Sequence, residues 1–599
     1  MAWYDEAVFY HIYPLGLTGA PKQNDYGEPV HRLNTLLPWV DHIKEIGGSA
    51  LYIGPLFESV GHGYETTDYK KLDSRLGTNE DLTAFVAYCH EQGIKVIFDG
   101  VFNHTGRDFF AFKDIQANRE NSQYKDWYCN VNFWGNNEYN DGFSYDNWGG
   151  YNLLVKLNQK NPAVVDYICD VIRFWVSEFD VDGIRLDAAD VLDFDFMKAL
   201  RRTANEVKPD FWLMGEVIHG DYSRWVNGET LHSVTNYTLH KALYSGHNDH
   251  NYFEIAHTVR RLQNMGTLKL YNFVDNHDVE RIYTKLTNKA HFAPVHVLLY
   301  TLPGVPSIYY GSEFGIEGRK EYGSDDSLRP ALNIEDYKDS VKTNPCTALI
   351  AALGKVRQAV PALSYGSYDE LMLTNRQFAY ARDLDGTRVI VSVNNDDAPA
   401  GMHLAAGNCT AYIGALSGEK VSVQDGHINI TQPANSGEIW VTEGTDLDVK
   451  PVKVVTKTES EAKTNTEDKA ASETATDAKG NQESEPKIES KESKDIVTAT
   501  ESADAKKNTT NTEKNISAAN EVKDSAKDAS AQAAADTPVD PETITVDWSK
   551  SPESMTVPEL QAAILAKLAG NGPVDAQMKK TVTDNIWHDS LVNWLKSFR

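Results

Sequence analysis

Residues 181–187 read VDGIRLD and residues 211–216 read FWLMGE. Each is a short apolar run closing on a carboxylate, and between them lies a stretch of helical character. The same rhythm extends both ways. Upstream stand 94–99 (IKVIFD), 49–54 (SALYIG) and 8–14 (VFYHIYP); downstream stand 231–239 (LHSVTNYTL), 270–275 (LYNFVD) and 305–310 (VPSIYY). Amphipathic stretches separate them, such as 79–92 and 161–179. In the second, Val164, Ile168, Val171, Ile172 and Trp175 fall on one helical face. Short apolar runs alternating with helices signal βαβ units and a parallel sheet. Eight such units predict an α/β chain built on a closed (β/α)8 TIM barrel over residues 1–104 and 161–359.

Departures from this rhythm mark further parts. Residues 105–160 interrupt the barrel after its third strand and are rich in Asn, Gly, Tyr and Trp. A structureless loop of that length does not suit a compact domain, so a small inserted domain is expected there. Residues 360–445 carry 377–382 (QFAYAR) and 388–393 (RVIVSV) around Asp385-Gly386, the signature of an antiparallel β-sandwich domain. From about 450 to 540 the chain is Lys, Glu, Asp, Ala, Ser and Thr with almost no aromatics, as in 460–475. Such a segment cannot bury enough apolar surface to offset its ordering entropy, and a disordered linker is expected. Residues 546–599 regain order signals as a small helical segment: Pro558 and Glu559 open a helix through Leu568, with Gly570 as its C-cap. Leu591, Trp594, Leu595 and Phe598 then share a face that reads as core or docking surface. The alternative is that Trp587 and Trp594 stack on sugar rings.

A formal net charge of -28 over 599 residues argues against nucleic acid or an anionic membrane as partner. A neutral, polar ligand such as a sugar fits better. The five cysteines are scattered without metal-site spacing, so neither a disulfide framework nor a zinc site is expected. The N-terminal residues lack the basic and long apolar regions of a signal peptide, and no run of 18 apolar residues occurs. A cytoplasmic location is expected.

Asp99, Asp187, Glu216 and Asp278 each follow an apolar run, where barrel enzymes assemble their sites. One such carboxylate alone reads as a loop cap or ion-pair partner. Four together, joined by His104, Arg185 and His277, read as chemistry. Glycoside cleavage requires one carboxyl protonated, to deliver a proton to the leaving oxygen, and one ionised, to attack an oxocarbenium-like centre. The apolar run before Glu216 favours its neutral form, and Arg185, two residues from Asp187 on the same strand face, favours the ionised form of Asp187.

At these residues the sequence resembles the α-amylase family, glycoside hydrolase family 13. Residues 99–104 (DGVFNH), 183–187 (GIRLD), 215–217 (GEV) and 273–278 (FVDNHD) look like its four conserved regions in family order, and the likeness spans roughly residues 1–445. The resemblance implies a retaining glycoside hydrolase with Asp187 as nucleophile, Glu216 as acid/base and Asp278 as transition-state stabiliser. Arg185 would orient Asp187, and His104 and His277 would bind sugar hydroxyls. Tyr64, in the HGY of 62–64, would form a stacking platform. Residues 105–160 would be domain B and 360–445 domain C.

Residues 154–158 (LVKLN) and 216–219 (EVIH) are similar to signatures of the neopullulanase, cyclomaltodextrinase and maltogenic amylase group. After Asp187, the Lys-His pair of many starch amylases is replaced by Asp190-Val191. Both features favour α-1,4-linked maltooligosaccharides over long polymers. Two departures stand against the subgroup: Val155 replaces the signature's Pro, and the group's N-terminal β-domain is absent. Hydrolysis leads the readings. A 4-α-glucanotransferase (transglycosylase) using the same site is the alternative, and a non-catalytic sugar-binding protein comes last. The chemistry needs no cofactor. Many family members hold calcium near the residue matching Asn103, but a lone Asn does not make a calcium site, so the metal stays open. The tail at 546–599 suggests a protein partner or self-association.

Overall fold

In the computed structural model the described residues are 2–449 except 267, 322 and 323, then 451, 546, 548, 550, 551, 555–569, 582 and 595. The expected linker at 450–540 lies outside them apart from residue 451, as do Gly570, Trp587, Leu591, Trp594 and Phe598 of the tail. Residues 1–496 and 497–599 form two separate units.

Eight parallel strands make the larger unit's centre: β1 Phe9–Ile12, β2 Ala50–Ile53, β3 Lys95–Gly100, β4 Gly183–Leu186, β5 Trp212–Gly215, β6 Ser233–Val234, β7 Tyr271–Asn272 and β8 Val305–Tyr309. They pair in the order β6-β5-β4-β3-β2-β1-β8-β7. A parallel bridge from Thr235 to Tyr271 joins β6 to β7 and closes the ring. Phe9, Ile97, Trp212, Met214 and Tyr271 fill the interior. Trp212 stacks on Phe9 (ring centroids 5.0 Å apart) and on Tyr4 (5.8 Å) at the N-terminal end. That end is sealed by aromatics, and the polar groups gather at the other.

Helices cover the outside for local reasons. Thr78 caps the helix Asn79–Glu91, exchanging bonds with Asp81. Asn161 caps Pro162–Phe179, whose buried face includes Val164, Ile168, Val171, Ile172 and Trp175. Two details differ from the expected rhythm. The connection from β5 to β6 holds only a 3-10 turn, Tyr222–Arg224, because the Gly220-Asp221 and Asn227-Gly228 turns leave no room for a helix. The strand expected at 231–239 stops at Val234, since the Asn236 side chain accepts the Leu239 amide (3.1 Å) and starts the helix Tyr237–Asn248.

Within 105–160 a helix, Phe110–Asn118, packs by a small sheet of 104–105, 147–148 and 151–156. Residues 367–442 form an antiparallel six-stranded sheet and a two-stranded one with a shared core that includes Ile390, Met402, Leu404, Ile430 and Trp440. The Asp385-Gly386 hairpin has both residues at positive φ (50° and 82°), as its tight turn requires. In the smaller unit the helix Val557–Ala569 carries Leu560, Ala563 and Ile564, which cluster with Met555, Val582 and Leu595.

Candidate active site

Strand register assembles the site. β3 and β4 lie with Asp99 opposite Arg185, and β4 and β5 with Arg185 opposite Met214. Arg185 thus stands between the strand carrying Asp99 and the one leading into Glu216. Its side chain is 4% exposed. Nη1 lies 2.8 and 3.0 Å from the two Asp99 oxygens and 2.9 Å from Asp187 Oδ1, while Nη2 lies 2.9 Å from Glu216 Oε2. One guanidinium holds three carboxylates. Asp99 also accepts from the hydroxyls of Tyr52 (2.8 Å) and Tyr64 (3.1 Å). Gly54, just past β2, permits this approach: a Cβ there would stand 2.3 Å from that of Asp99.

Ala188, next to Asp187, adopts the left-handed conformation (φ 46°, ψ 42°), which costs an L-residue about 1–2 kcal/mol. The turn directs its N–H to Glu216 Oε2 at 3.1 Å. Glu216 Oε1 faces the Tyr237 hydroxyl at 3.4 Å.

Asp278 lies in the loop after β7, not at its end. Asn276 holds that loop by accepting the amides of Asp278 (2.8 Å) and Val279 (3.1 Å), and its own amide donates to the Tyr237 hydroxyl (3.2 Å). Asp278 meets His277 Nε2 at 3.1 Å and Arg329 Nη2 at 2.8 Å. Arg329 also covers the Tyr13 ring, 4.7 Å from its centroid. Tyr64 lies nearly parallel to His277 (10°), with its hydroxyl 2.5 Å from Nε2.

The structure therefore gathers Asp187, Glu216, Asp278, Arg185, Tyr64 and His277 around one mouth. His104 stands behind Tyr64. It is 1% exposed, its Nε2 faces the Tyr64 carbonyl at 3.1 Å, and its Nδ1 faces the Asn103 amide. Burial pushes His104 down to about 3, so it is neutral and braces the Tyr64 loop.

Burial pushes the Asp187 carboxyl well above the usual range, against the pull of Arg185 and with the charges of Glu216, Asp99 and Asp278 adding to the rise. Arg185 pulls toward the ionised form, as the Arg185–Asp187 spacing implied, but burial outweighs that pull and the three neighbouring carboxylates add to it. Burial would also raise Asp278, but His277, Arg329 and Arg185 outweigh it and hold that carboxyl well below the usual range.

Asn103 is engaged within the protein. Its side-chain oxygen accepts from Gln159 Nε2 (3.4 Å) and its carbonyl from the Leu157 amide (3.0 Å). Among the described residues no group of three or more His, Cys, Asp or Glu could hold a metal ion.

Sequence reading missed Tyr13, Tyr52, Tyr237, Asn276 and Arg329. Tyr52 carried a signal, since it shares an inward strand face with the end of β2. Arg329 carried none, being 51 residues beyond its partner in irregular chain.

Residues 32–355 match the family model described as the catalytic domain of alpha-amylase. The chain belongs to the α-amylase family. A cyclomaltodextrinase from a Bacillus species is 31% identical over 422 residues, 66% of this chain and 74% of that one. An intracellular maltogenic amylase from Bacillus subtilis is 28% identical over 418 residues, 65% of this chain and 69% of that one. A solved structure titled cyclomaltodextrinase superposes with a TM-score of 0.65 at 26% identity, covering 73% of this chain and 78% of that one. This α-amylase-family chain is a glycosidase, and its barrel and C-terminal antiparallel domain are those of a family enzyme.

Proposed function

We propose that the enzyme hydrolyses α-1,4-glucosidic bonds in maltooligosaccharides and related α-glucans, cyclic ones included, with retention of configuration. Asp187 attacks the anomeric carbon as Glu216 protonates the departing glycosidic oxygen, so one C–O bond forms while another breaks. Glu216, now ionised, takes a proton from water, and that oxygen displaces Asp187 from the covalent intermediate. Asp278 binds the distorted sugar, Arg185 fixes the two reacting carboxyls, and Tyr64 with His277 form the floor against which the ring rests.

The observation that carries the reading is the shared guanidinium: Asp187 and Glu216 take its two terminal nitrogens at 2.9 Å each. Side by side, they suit the carboxyl separation of about 5–5.5 Å used by retaining enzymes rather than the wider gap of inverting ones. No step requires a metal, because the carboxylates supply both proton transfer and nucleophile.

The preference for short and cyclic substrates rests on the 154–158 motif, the absent Lys-His pair after Asp187 and the names of the relatives. The test is a time course with maltoheptaose, β-cyclodextrin and pullulan, resolving products by size. Rapid cyclodextrin opening is expected; inert cyclodextrin with mixed short products from maltoheptaose would remove the subgroup reading. Chain elongation at high maltoheptaose would favour transglycosylation.

A cytoplasmic location belongs to the same proposal. It is supported by five free cysteines and by the Bacillus subtilis relative named intracellular; no helix among the described residues is long and apolar enough to cross a membrane. Self-association or partner binding through 546–599 is proposed from the tail's apolar pattern, and a tail-deleted enzyme with unchanged sedimentation and pull-down behaviour would remove it.

A further inference from the structure

Trp134 is 98% exposed, in the inserted domain. An indole left wholly in water forgoes a large burial gain; what makes this one a candidate platform is the built turn that holds it and the polar groups around it. The turn around it is not loose. The Trp134 amide donates to Asn132 Oδ1 (3.0 Å) and the Gly135 amide to the Asn132 carbonyl (3.1 Å). Asn132 and Ser144 exchange backbone bonds at 2.8 and 2.9 Å. The Gly142 amide donates to Asn136, and Asn137 ties Asp141 and the Phe143 carbonyl. Phe133, next in sequence, turns inward against Phe143 at 5.7 Å. The turn thus presents its ring without needing it for its own folding.

The surroundings select the occupant. Trp134 is flanked by uncharged carboxamides and glycine. Of the loop's carboxylates, Asp141 is neutralised by both terminal nitrogens of Arg107 at 2.8 Å, and the exposed Glu138 accepts from Asn152 Nδ2 at 3.2 Å. Tyr139, further along the same loop, is 46% exposed. A flat apolar ring with neutral hydrogen-bonding neighbours matches a pyranose, whose C–H face is apolar and whose rim is hydroxyl. A net charge of -28 disfavours a second copy of the chain as occupant. The loop is also tied to the site. The Cys129 amide binds the Lys156 carbonyl, and Lys156 pairs with His104 behind Tyr64. Five residues from Cys129 to Trp134 span no more than about 18 Å.

We propose that Trp134 is the stacking platform of an accessory α-glucan-binding site, which holds a long chain while one of its bonds is cleaved at the barrel mouth. The proposal rests on the α-glucan reading above and not on the preference for short and cyclic substrates, which concerns the barrel mouth alone. A long substrate reaches both places; a trisaccharide at the barrel mouth does not.

The test compares parent and Trp134→Ala on soluble amylopectin and on maltotriose. The same substitution is made in an Asp187→Asn background for electrophoresis through amylopectin-containing gels, where nothing is digested. Trp134→Ala is expected to raise KM for amylopectin about tenfold, leave its kcat and all maltotriose kinetics unchanged, and abolish retardation in the gel. Trp134→Tyr should keep most of the retardation, because it keeps an aromatic face. Equal retardation of Trp134→Ala and parent, with maltotriose still cleaved, would overturn the platform alone. A change in sedimentation on Trp134→Ala would also overturn it, by making the ring a self-association contact. A parent that cleaves no maltotriose would overturn the functional reading and the platform with it.

Discussion

Arg329 Nη2 lies 2.8 Å from Asp278 Oδ1, joining two residues 51 positions apart in sequence. The contact sets the charge state of a carboxylate expected to face the sugar. Arg329→Ala removes one of the cations that hold Asp278 low and one of the contacts that orient it. The acid limb of the kcat/KM profile should stay where it is, because Asp187, held well above the usual range, is the last of the required carboxylates to ionise. A pH–rate series on maltotriose checks it: a loss of roughly ten- to hundredfold at the optimum is expected with the limb unmoved, and a limb shifted to higher pH would mean that Asp278 rather than Asp187 governs it.

Arg185 carries a larger burden. Removing it leaves the buried Asp99 and Asp187 and the partly buried Glu216 without their cation. Breaking a buried pair of this kind costs about 3–5 kcal/mol. Arg185→Met should therefore unfold well below the parent temperature, and adding Asp99→Asn should recover part of the loss by removing one uncompensated charge. Thermal melts of both variants at pH 7 decide this, and an unchanged midpoint in Arg185→Met would contradict the shared-cation account.

The sign for Asp187 runs the other way. Its folded-state value lies above the unfolded one, so the unfolded chain gives up this proton first. Ionisation then costs stability from about pH 4 upward, and the cost grows until pH passes the folded value. Asp187→Asn is neutral at every pH and escapes it. The variant should lose at least about a thousandfold in kcat yet melt a few degrees higher at pH 7, with the two curves converging near pH 3.5. Equal melting at pH 7 would show that Arg185 alone offsets the burial of Asp187.

How far the sequence disclosed this site follows from what kind of information each part carries. Asp187 and Arg185 were legible because strand periodicity places residues two apart on one face, and Asp99 because its apolar run ends there. The helix at Tyr237 was not: LHSVTNYTL alternates well enough to read as strand throughout, and only the side-chain bond from Asn236 to the Leu239 amide ends it. Arg329 was beyond reach because nothing local marks a loop residue whose role is set by tertiary contact. The pull of Arg185 on Asp187 was legible from their spacing, while the burial that outweighs it was not, since local sequence does not reveal how deeply a carboxyl is packed. His104 was legible as a member of the group, while its orientation toward the Tyr64 carbonyl depended on packing.

Tyr237 offers a test confined to proton transfer. Its hydroxyl accepts from Asn276 Nδ2 at 3.2 Å, leaving its own hydrogen free to donate to Glu216 Oε1 at 3.4 Å. Tyr237→Phe removes that donor and with it the bond that aligns Oε1. Hydrolysis of the intermediate, where Glu216 acts as base and Tyr237 aligns it, slows by about two- to tenfold. Leaving-group dependence separates alignment from general damage. With 2,4-dinitrophenyl maltoside the departing phenolate needs no proton, so the formation of the glycosyl-enzyme should be unaffected, while with maltotriose it should slow. Equal slowing on both substrates would place Tyr237 in the packing of the loop rather than beside the proton.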